Sequence, residues 1–405
     1  MIHQAPAGAR DLLPLEVAQK SWINDRLQEV FQRWGYKRIV TSTIEWVDTL
    51  LAGGAIQPEM IIQLENAGEG RLGLRPELTA SIARAAVNRL KNHSIQRLCY
   101  RANVFRNPPA GHHGKQLEFY QAGVELLFVD GVLADAEILL LLKDCLEYLG
   151  ITDWQLLLGD AGLTNSLLEI FPLPQRPQIR RCLAHLDRVT LEKLDLEPHL
   201  KQKALQLFDL RGNPIEVLAK LSQWDLASSA AKAISHLESL MELIYHTTDN
   251  SFPIILDLSL VKSFDYYTGI VFVVIKVMDN KPYVLGQGGR YDQLLALYHP
   301  EKKPSPGIGF CFNIEDLHHC LRDNPNLPKT IPPSDWLVIP TSQQASKQAF
   351  AYAQTLRRAP HMVRVELELK MRTPGEIRQY AKQEGISYLA WVDEKSQVRV
   401  EMVQS

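Results

Sequence analysis

Two carboxylates, a threonine, a glutamine and a pair of tyrosines are the side chains of this chain best suited to holding a small polar ligand, because they donate and accept hydrogen bonds in fixed directions. Glu77 and Thr79 lie in Leu74-Arg-Pro-Glu-Leu-Thr-Ala80. Taken alone, that stretch reads as a helix start, with Thr79 able to cap and Arg75 and Glu77 able to sit in solvent. Gln121 and Glu125 close the stretch Val104 to Glu125, which reads as two strands joined by a loop. His112 and His113 in that loop invite a metal reading, but a closed site needs more ligands and no partner spacing is present. A polar loop tip is expected there, and no metal. Tyr266 and Tyr267 stand in Leu260 to Phe272, where paired phenols inside an apolar strand usually fill a core with their hydroxyls satisfied. The glycine pair of Gly286-Gln-Gly-Gly-Arg-Tyr-Asp292 allows close backbone approach, either to a ligand or to another strand. It is not a dinucleotide fingerprint, since no βαβ unit surrounds it. Asp316 closes Pro306 to Leu317, which reads as a strand running into a helix.

The elements that must position these residues follow from periodicity. Apolar side chains at Ile23, Leu27, Val30, Phe31 and Trp34 mark one face of a helix over 16–34, closed by Gly35. Strands are expected at Lys37–Thr41, Leu98–Phe105, Leu117–Leu127, Ile254–Leu260, Ile270–Val277 and Ile308–Asn313. The run Ile138 to Leu142 lies in a buried helix ending near Gly150. Strands that return after long helical stretches predict an α+β domain with one sheet and helices packed on it. This core covers 1–325, with a leucine-rich helical insertion at about 160–250. A proline-rich linker at 326–334 leads to a small domain over 335–405. There, strands Asp335–Pro340, Met362–Glu366 and Ile386–Val392 alternate with helices Ser342–Arg358 and Thr373–Gly385, which predicts a parallel α/β sheet.

Composition narrows the class. A chain of 405 residues is long enough for more than one domain. Its net charge of −2 counts against a dedicated nucleic-acid binder. The first ten residues lack the apolar core of a signal peptide, and the longest apolar run is far short of a membrane span. The five cysteines are widely spaced and form no Cys-x-x-Cys pair, which suits reduced thiols in the cytoplasm.

In this order, with Gly35-Tyr-Lys-Arg-Ile-Val-Thr41 ahead of them, the segments resemble the histidyl-tRNA synthetase family of class II. Asp265-Tyr-Tyr-Thr-Gly269 and Gly288-Gly-Arg-Tyr-Asp292 match its histidine branch, and Ala7-Gly-Ala-Arg-Asp-Leu-Leu-Pro14 is similar to its N-terminus. The resemblance spans about 5–320 and extends more weakly into the last domain, which is similar to a shortened anticodon-binding domain. It implies an antiparallel sheet core with flanking helices. It also implies a histidine pocket: Glu77 and Thr79 on the α-amino group, with Gln121, Glu125, Tyr266 and Tyr267 around the ring. Lys262 stands where the family has an arginine, and lysine pairs with a carboxylate only as a point charge.

On the ATP side the family pattern breaks. Arg106 matches its first motif arginine, but Pro108 replaces a glutamate. Asp316 replaces the arginine that grips phosphate, a carboxylate of the wrong sign for that task. A pocket that keeps its histidine side and loses its ATP side resembles the synthetase-like regulatory subunits of ATP phosphoribosyltransferase. That resemblance implies no catalytic residue and no cofactor in this chain. It implies the short-form catalytic subunit as partner, a dimer core within a hetero-oligomer, and histidine as allosteric ligand. Neither tRNA nor a membrane is expected as a partner. Ser42 stands where the family's dimer motif has proline. The competing readings are an active, divergent histidyl-tRNA synthetase and a non-catalytic tRNA-binding or histidine-sensing module.

Overall fold

The computed structural model describes residues 3, 5–54, 56–65, 70–90, 94–108, 116–260 and 266–403. They fall into two units, Met1–Pro328 and Lys329–Ser405.

The first unit is built on a nine-stranded sheet. Helix α1 (Pro14–Arg33) opens with proline at its first turn, where a missing N–H costs nothing. It buries Ile23, Leu27, Val30 and Phe31, and Gly35 leaves it with φ of +81°. Strand β1 follows at Lys37–Arg38, shorter than the expected Lys37–Thr41. Just beyond it the Ile39 N–H still bonds the Cys99 carbonyl of the neighbouring strand, and the carbonyls of Thr41 and Ser42 then turn to the Arg75 guanidinium. A small hairpin-like pair, β2 (Ile44–Trp46) and β3 (Leu72–Leu74), brackets α2 (Val47–Leu51). Helix α3 (Thr79–Arg89) then leads to the long strands β4 (Gln96–Phe105) and β5 (Glu118–Leu127), and these to α4 (Val132–Leu149). Gly150 ends α4 in the left-handed conformation, as its position in the sequence predicts.

Strand β6 (Trp154–Asp160), which periodicity did not reveal, is followed by helices α5 (Ala161–Leu168), α6 (Arg176–Ala184), α7 (Arg188–Glu192) and α8 (Pro198–Phe208). After the two-residue strand β7 (Arg211–Gly212) come α9 (Pro214–Leu221) and α10 (Ser228–Thr247). The sheet resumes with β8 (Ile254–Asp257), β9 (Ile270–Met278), β10 (Lys281–Arg290) and β11 (Gly307–Asn313), and α11 (Ile314–Cys320) follows. The strand order is β1-β4-β5-β11-β10-β9-β6-β8-β7. From β4 to β6 every neighbouring pair is antiparallel. The sheet is mixed, however, because β1 joins β4 and β8 joins β6 in parallel.

Alternation along β5 divides the sheet's two faces. Ala122, Val124 and Leu126 enter the main core beneath α1, α4 and α11, so Gln121, Gly123 and Glu125 point to the opposite face. That face carries a second core of Leu78, Ile82, Tyr100, Leu127 and Tyr291, covered by α3.

In the second unit, β12 (Trp336–Pro340), α12 (Ser346–Arg357), β13 (Val365–Leu367), α13 (Pro374–Glu384) and β14 (Tyr388–Val392) alternate. The expectation of a wholly parallel sheet is corrected by β15 (Val398–Met402), which pairs antiparallel with β14. The turn between them is set by the Asp393 carboxylate, which accepts from the backbone N–H of Lys395 and of Gln397.

Candidate ligand site

The polar face of β5 forms the floor of a cavity. Gln121 and Glu125, four residues apart on one strand, share that face, and both are buried. Strand β11 pairs beside them, with Gly309 opposite Glu125 and Asn313 opposite Gln121. Gly309 has to lack a side chain: a Cβ there would run into the Glu125 carboxylate and the Val124 carbonyl. Tyr100 lies across Gly123 and fills the floor between the two polar side chains.

One wall is the start of α3. The helix-cap reading of Thr79 is corrected here. Glu77 is the cap, its carboxylate accepting from the N–H of Thr79 at 2.5 Å and of Ala80 at 2.8 Å. Glu77 occupies the N-terminal end of the helix, where the backbone favours negative charge. The Thr79 hydroxyl is thereby released to donate to Glu125 Oε1 at 2.7 Å. Arg75 is not solvated either. It is buried and donates to three backbone carbonyls.

The other wall is aromatic. Tyr266 and Tyr267 stand with ring centroids 4.7 Å apart, and Tyr266 meets Tyr291 edge-on at 5.9 Å. Tyr291 donates its hydroxyl to Glu125 Oε2. Glu125 is therefore held from both sides, by Thr79 and by Tyr291. Burial pushes its carboxyl up to about 8, the bonds from Tyr291 and Thr79 pull it down, and the nearby Glu77 raises it further. Burial thus favours its protonated form around neutral pH. Burial also raises Glu77, opposed by the N–H groups it caps and by Arg106. Burial raises Tyr266 and Tyr291 as well, so the phenols stay protonated.

Glu77, Thr79, Gln121, Glu125, Tyr266, Tyr267 and Arg106 thus line one cavity, together with Tyr100, Gln287, Tyr291 and Cys311. The cavity has a volume of about 40 Å³ and is partly open. Arg106 spends its Nε–H on the Pro76 carbonyl at 2.6 Å. Asp316 is placed elsewhere. It accepts from Asn313 Nδ2 at 2.7 Å in the first turn of α11, where Asn313 is the cap. Burial and the neighbouring Glu315 push the Asp316 carboxyl up to about 6. Pro108 is half-buried after β4 and does not line the cavity. Lys262, Asp265, His112 and His113 lie outside the described residues.

Sequence reasoning passed over Tyr291 and Gly309. Both were in view, Tyr291 in the segment noted for its glycine pair and Gly309 in the segment noted for Asp316. The signal for Tyr291 was a phenol directly after a strand whose glycines admit close neighbours.

The family described as histidyl-tRNA synthetase matches residues 8–317. A relative from a Picosynechococcus strain, an ATP phosphoribosyltransferase regulatory subunit, is 60% identical over 402 residues, covering 99% of this chain and 100% of its own length. Another of that description, from Gloeothece citriformis, is 60% identical over 408 residues and covers both chains completely. The chain belongs to the histidyl-tRNA synthetase family, in its branch of ATP phosphoribosyltransferase regulatory subunits. The solved structure of an ATP phosphoribosyltransferase regulatory subunit/histidyl-tRNA synthetase from Bacillus halodurans superposes with a TM-score of 0.80 at 26% identity, covering 97% of each chain. A histidyl-tRNA synthetase from a Nostoc species shares the fold, with a TM-score of 0.76 at 19% identity, over 99% of this chain and 97% of that one. Among the regulatory subunits, then, this chain carries the class II synthetase-like α+β fold. None of its described helices is long and apolar enough to cross a membrane.

Proposed function

We propose that this chain is the non-catalytic regulatory subunit of an ATP phosphoribosyltransferase, needed by a short-form catalytic subunit that joins ATP to phosphoribosyl pyrophosphate, and that it carries feedback by histidine. The observation behind the role is full-length identity of 60% to regulatory subunits. The case for histidine rests on the cavity. Glu77 keeps lone pairs free after capping α3, which suits an ammonium group. Glu125 as a neutral acid offers an O–H to an imidazole nitrogen, and the tyrosine hydroxyls can serve the other. The cavity is narrow and partly open, so a ligand can fit one arrangement of the tyrosine and α3 walls better than another. That differential fit is what lets a ligand shift a population.

The proposed loss of aminoacylation rests on charge. Phosphoryl and adenylyl chemistry is stabilised by cations aimed at developing negative charge. Among the described residues lining the cavity, Arg106 is the one cation, and its Nε is already bonded to Pro76. The family's phosphate-gripping position holds Asp316 instead. The cytoplasm, a dimer core within the hetero-oligomer and the lack of a tRNA role belong to the same proposal.

Reconstitution tests it. Phosphoribosyl-ATP formation is followed with the short catalytic subunit alone, with this chain alone and with both, each with and without histidine. The expected result is activity that needs this chain and falls with histidine, and Glu125→Ala should blunt the histidine effect. If the catalytic subunit's rate ignores this chain, the regulatory role is wrong. Histidine-dependent ATP–pyrophosphate exchange by this chain would favour an active synthetase, a reading kept in view by the double description of the Bacillus halodurans structure.

A further inference from the structure

Behind the tyrosine wall lies a buried ionic chain that the cavity itself does not require. Its centre is Arg290, at the end of β10 and directly before Tyr291. The Arg290 backbone carbonyl accepts from Thr268 N–H at 2.8 Å, and Asp292 N–H donates to the Thr268 hydroxyl at 3.0 Å. Thr268 follows Tyr267 directly, so the tyrosine pair is pinned to the same backbone that carries Tyr291 and, through it, Glu125. Both the tyrosine wall and the Glu125 partner are therefore hung on one residue.

The Arg290 side chain looks the other way. Its Nε and Nη2 donate to Asp135 Oδ1 at 2.9 and 2.5 Å. Its Nη1 lies 3.2 Å from both Asp130 and Asp292. Asp135, in the first turn of α4, is completely buried, and its other oxygen is 2.7 Å from His236 Nε2. His236 is on α10, more than halfway along the helical insertion in sequence. It keeps 30% of its side chain exposed. The neighbouring Asp160 caps α5 by accepting from Leu163 N–H at 2.7 Å.

One buried carboxylate thus serves both ends. A guanidinium fork fixes Oδ1 in two directions, and an imidazole fixes Oδ2. Loosening the guanidinium fork would leave the buried Asp135 charge short of its main partner, which is unfavourable, whereas the His236 bond can break with Asp135 still held by Arg290. A displacement of β10 therefore cannot be absorbed by slack at Asp135, and either α10 follows or the bond to His236 breaks. Coupling needs such an element, one with discrete arrangements that both sites bias.

We propose that the Arg290–Asp135–His236 chain couples occupancy of the cavity to helix α10, making the helical insertion the part of the subunit that reports the ligand. The inference rests on the reading that the cavity binds histidine. When the walls adjust to the ligand, Tyr291 and Thr268 shift with the end of β10, and His236 transmits that shift to α10.

The test is hydrogen–deuterium exchange on the full-length chain with and without L-histidine, alongside calorimetric titration. In the wild type, exchange in peptides covering α10 should change by about 5-fold or more on saturation, the lower range for an allosteric coupling. His236→Leu should still bind histidine while the α10 response disappears. His236→Gln keeps a donor for Asp135 and should retain part of the response. His236 is partly exposed and Asp135 keeps both bonds from Arg290, so both variants should fold. Histidine binding with unchanged α10 exchange in the wild type would overturn the coupling and leave the cavity reading intact. A full α10 response in His236→Leu would likewise overturn it. Absence of histidine binding to the wild type would remove the cavity reading and the coupling together.

Discussion

Replacing Glu125 with glutamine should remove a large part of the pH dependence of this protein's stability. In the folded chain burial raises the Glu125 carboxyl from 4.5 to about 8. The folded state therefore holds a proton that the unfolded state releases above about 4.5. A group raised in this way contributes stability that is fully present below its unfolded value and is lost as pH climbs through its folded value. The whole window is worth about 5 kcal/mol, at about 1.4 kcal/mol per pH unit. Between about pH 6 and about pH 9 the wild type should lose about 2–3 kcal/mol through this group alone. Glutamine has the shape of the neutral acid and no proton to lose. The Thr79 and Tyr291 hydroxyls can each turn to donate to its oxygen or accept from its nitrogen. The assay is urea denaturation of wild type and Glu125→Gln at both pH values, followed by circular dichroism. Other raised carboxyls, such as Asp160 at about 6, cancel in the difference between the two proteins. Glu125→Gln should gain on the wild type as pH rises. A difference between the proteins that stays constant from the lower pH to the higher would refute the reasoning, because Glu125 would then be ionised throughout or already relieved by water.

Two further outcomes follow from the same geometry. Gly309→Ala drives a methyl group into the Glu125 carboxylate and the Val124 carbonyl. It should cost about 1–3 kcal/mol as an overpacked substitution and abolish histidine binding in calorimetry, whereas unchanged binding would show the ligand sits elsewhere. Tyr291→Phe removes one of the two bonds to Glu125. Losing that partner in a buried site should cost about 1–3 kcal/mol of stability and weaken histidine by about 10-fold, equivalent to about 1.4 kcal/mol. An unaltered melting temperature would argue against that hydrogen bond.

Much of this was legible in the sequence, for identifiable reasons. Helix α1 announced itself because Ile23, Leu27, Val30 and Phe31 repeat at the helical period and glycine stops them. Gln121 and Glu125 share a face because a strand turns every second side chain the same way. The capping of α3 was misassigned because Glu77 and Thr79 both suit a helix N-terminus, and only the distant Glu125 decides which hydroxyl is needed elsewhere. Strand β6 went unread because its three consecutive leucines, Leu156 to Leu158, hide the alternation that burial shows over its first five residues. Strand β15 was missed although Val398, Val400 and Met402 alternate with Arg399 and Glu401, because it is a short, mostly exposed edge strand. The placement of Asp316 could not be read either, since its bond to Asn313 is a local choice of helix capping that the motif pattern does not encode.

Arg75 carries a consequence of another kind. Its guanidinium bonds the carbonyls of Asn103, Thr41 and Ser42, and its own N–H and C=O bond Thr43 and Phe105. No carboxylate balances it among these bonds. The guanidinium's acceptors lie 28 to 34 residues away along the chain, so they come within reach only after β4 has formed and the turn after β1 has closed. We expect such a clasp to close after the folding barrier, and an interaction absent there slows unfolding without speeding folding. Arg75→Lys should then raise the unfolding rate and leave the folding rate nearly unchanged in stopped-flow denaturant jumps; an equal loss in the folding rate would refute the ordering.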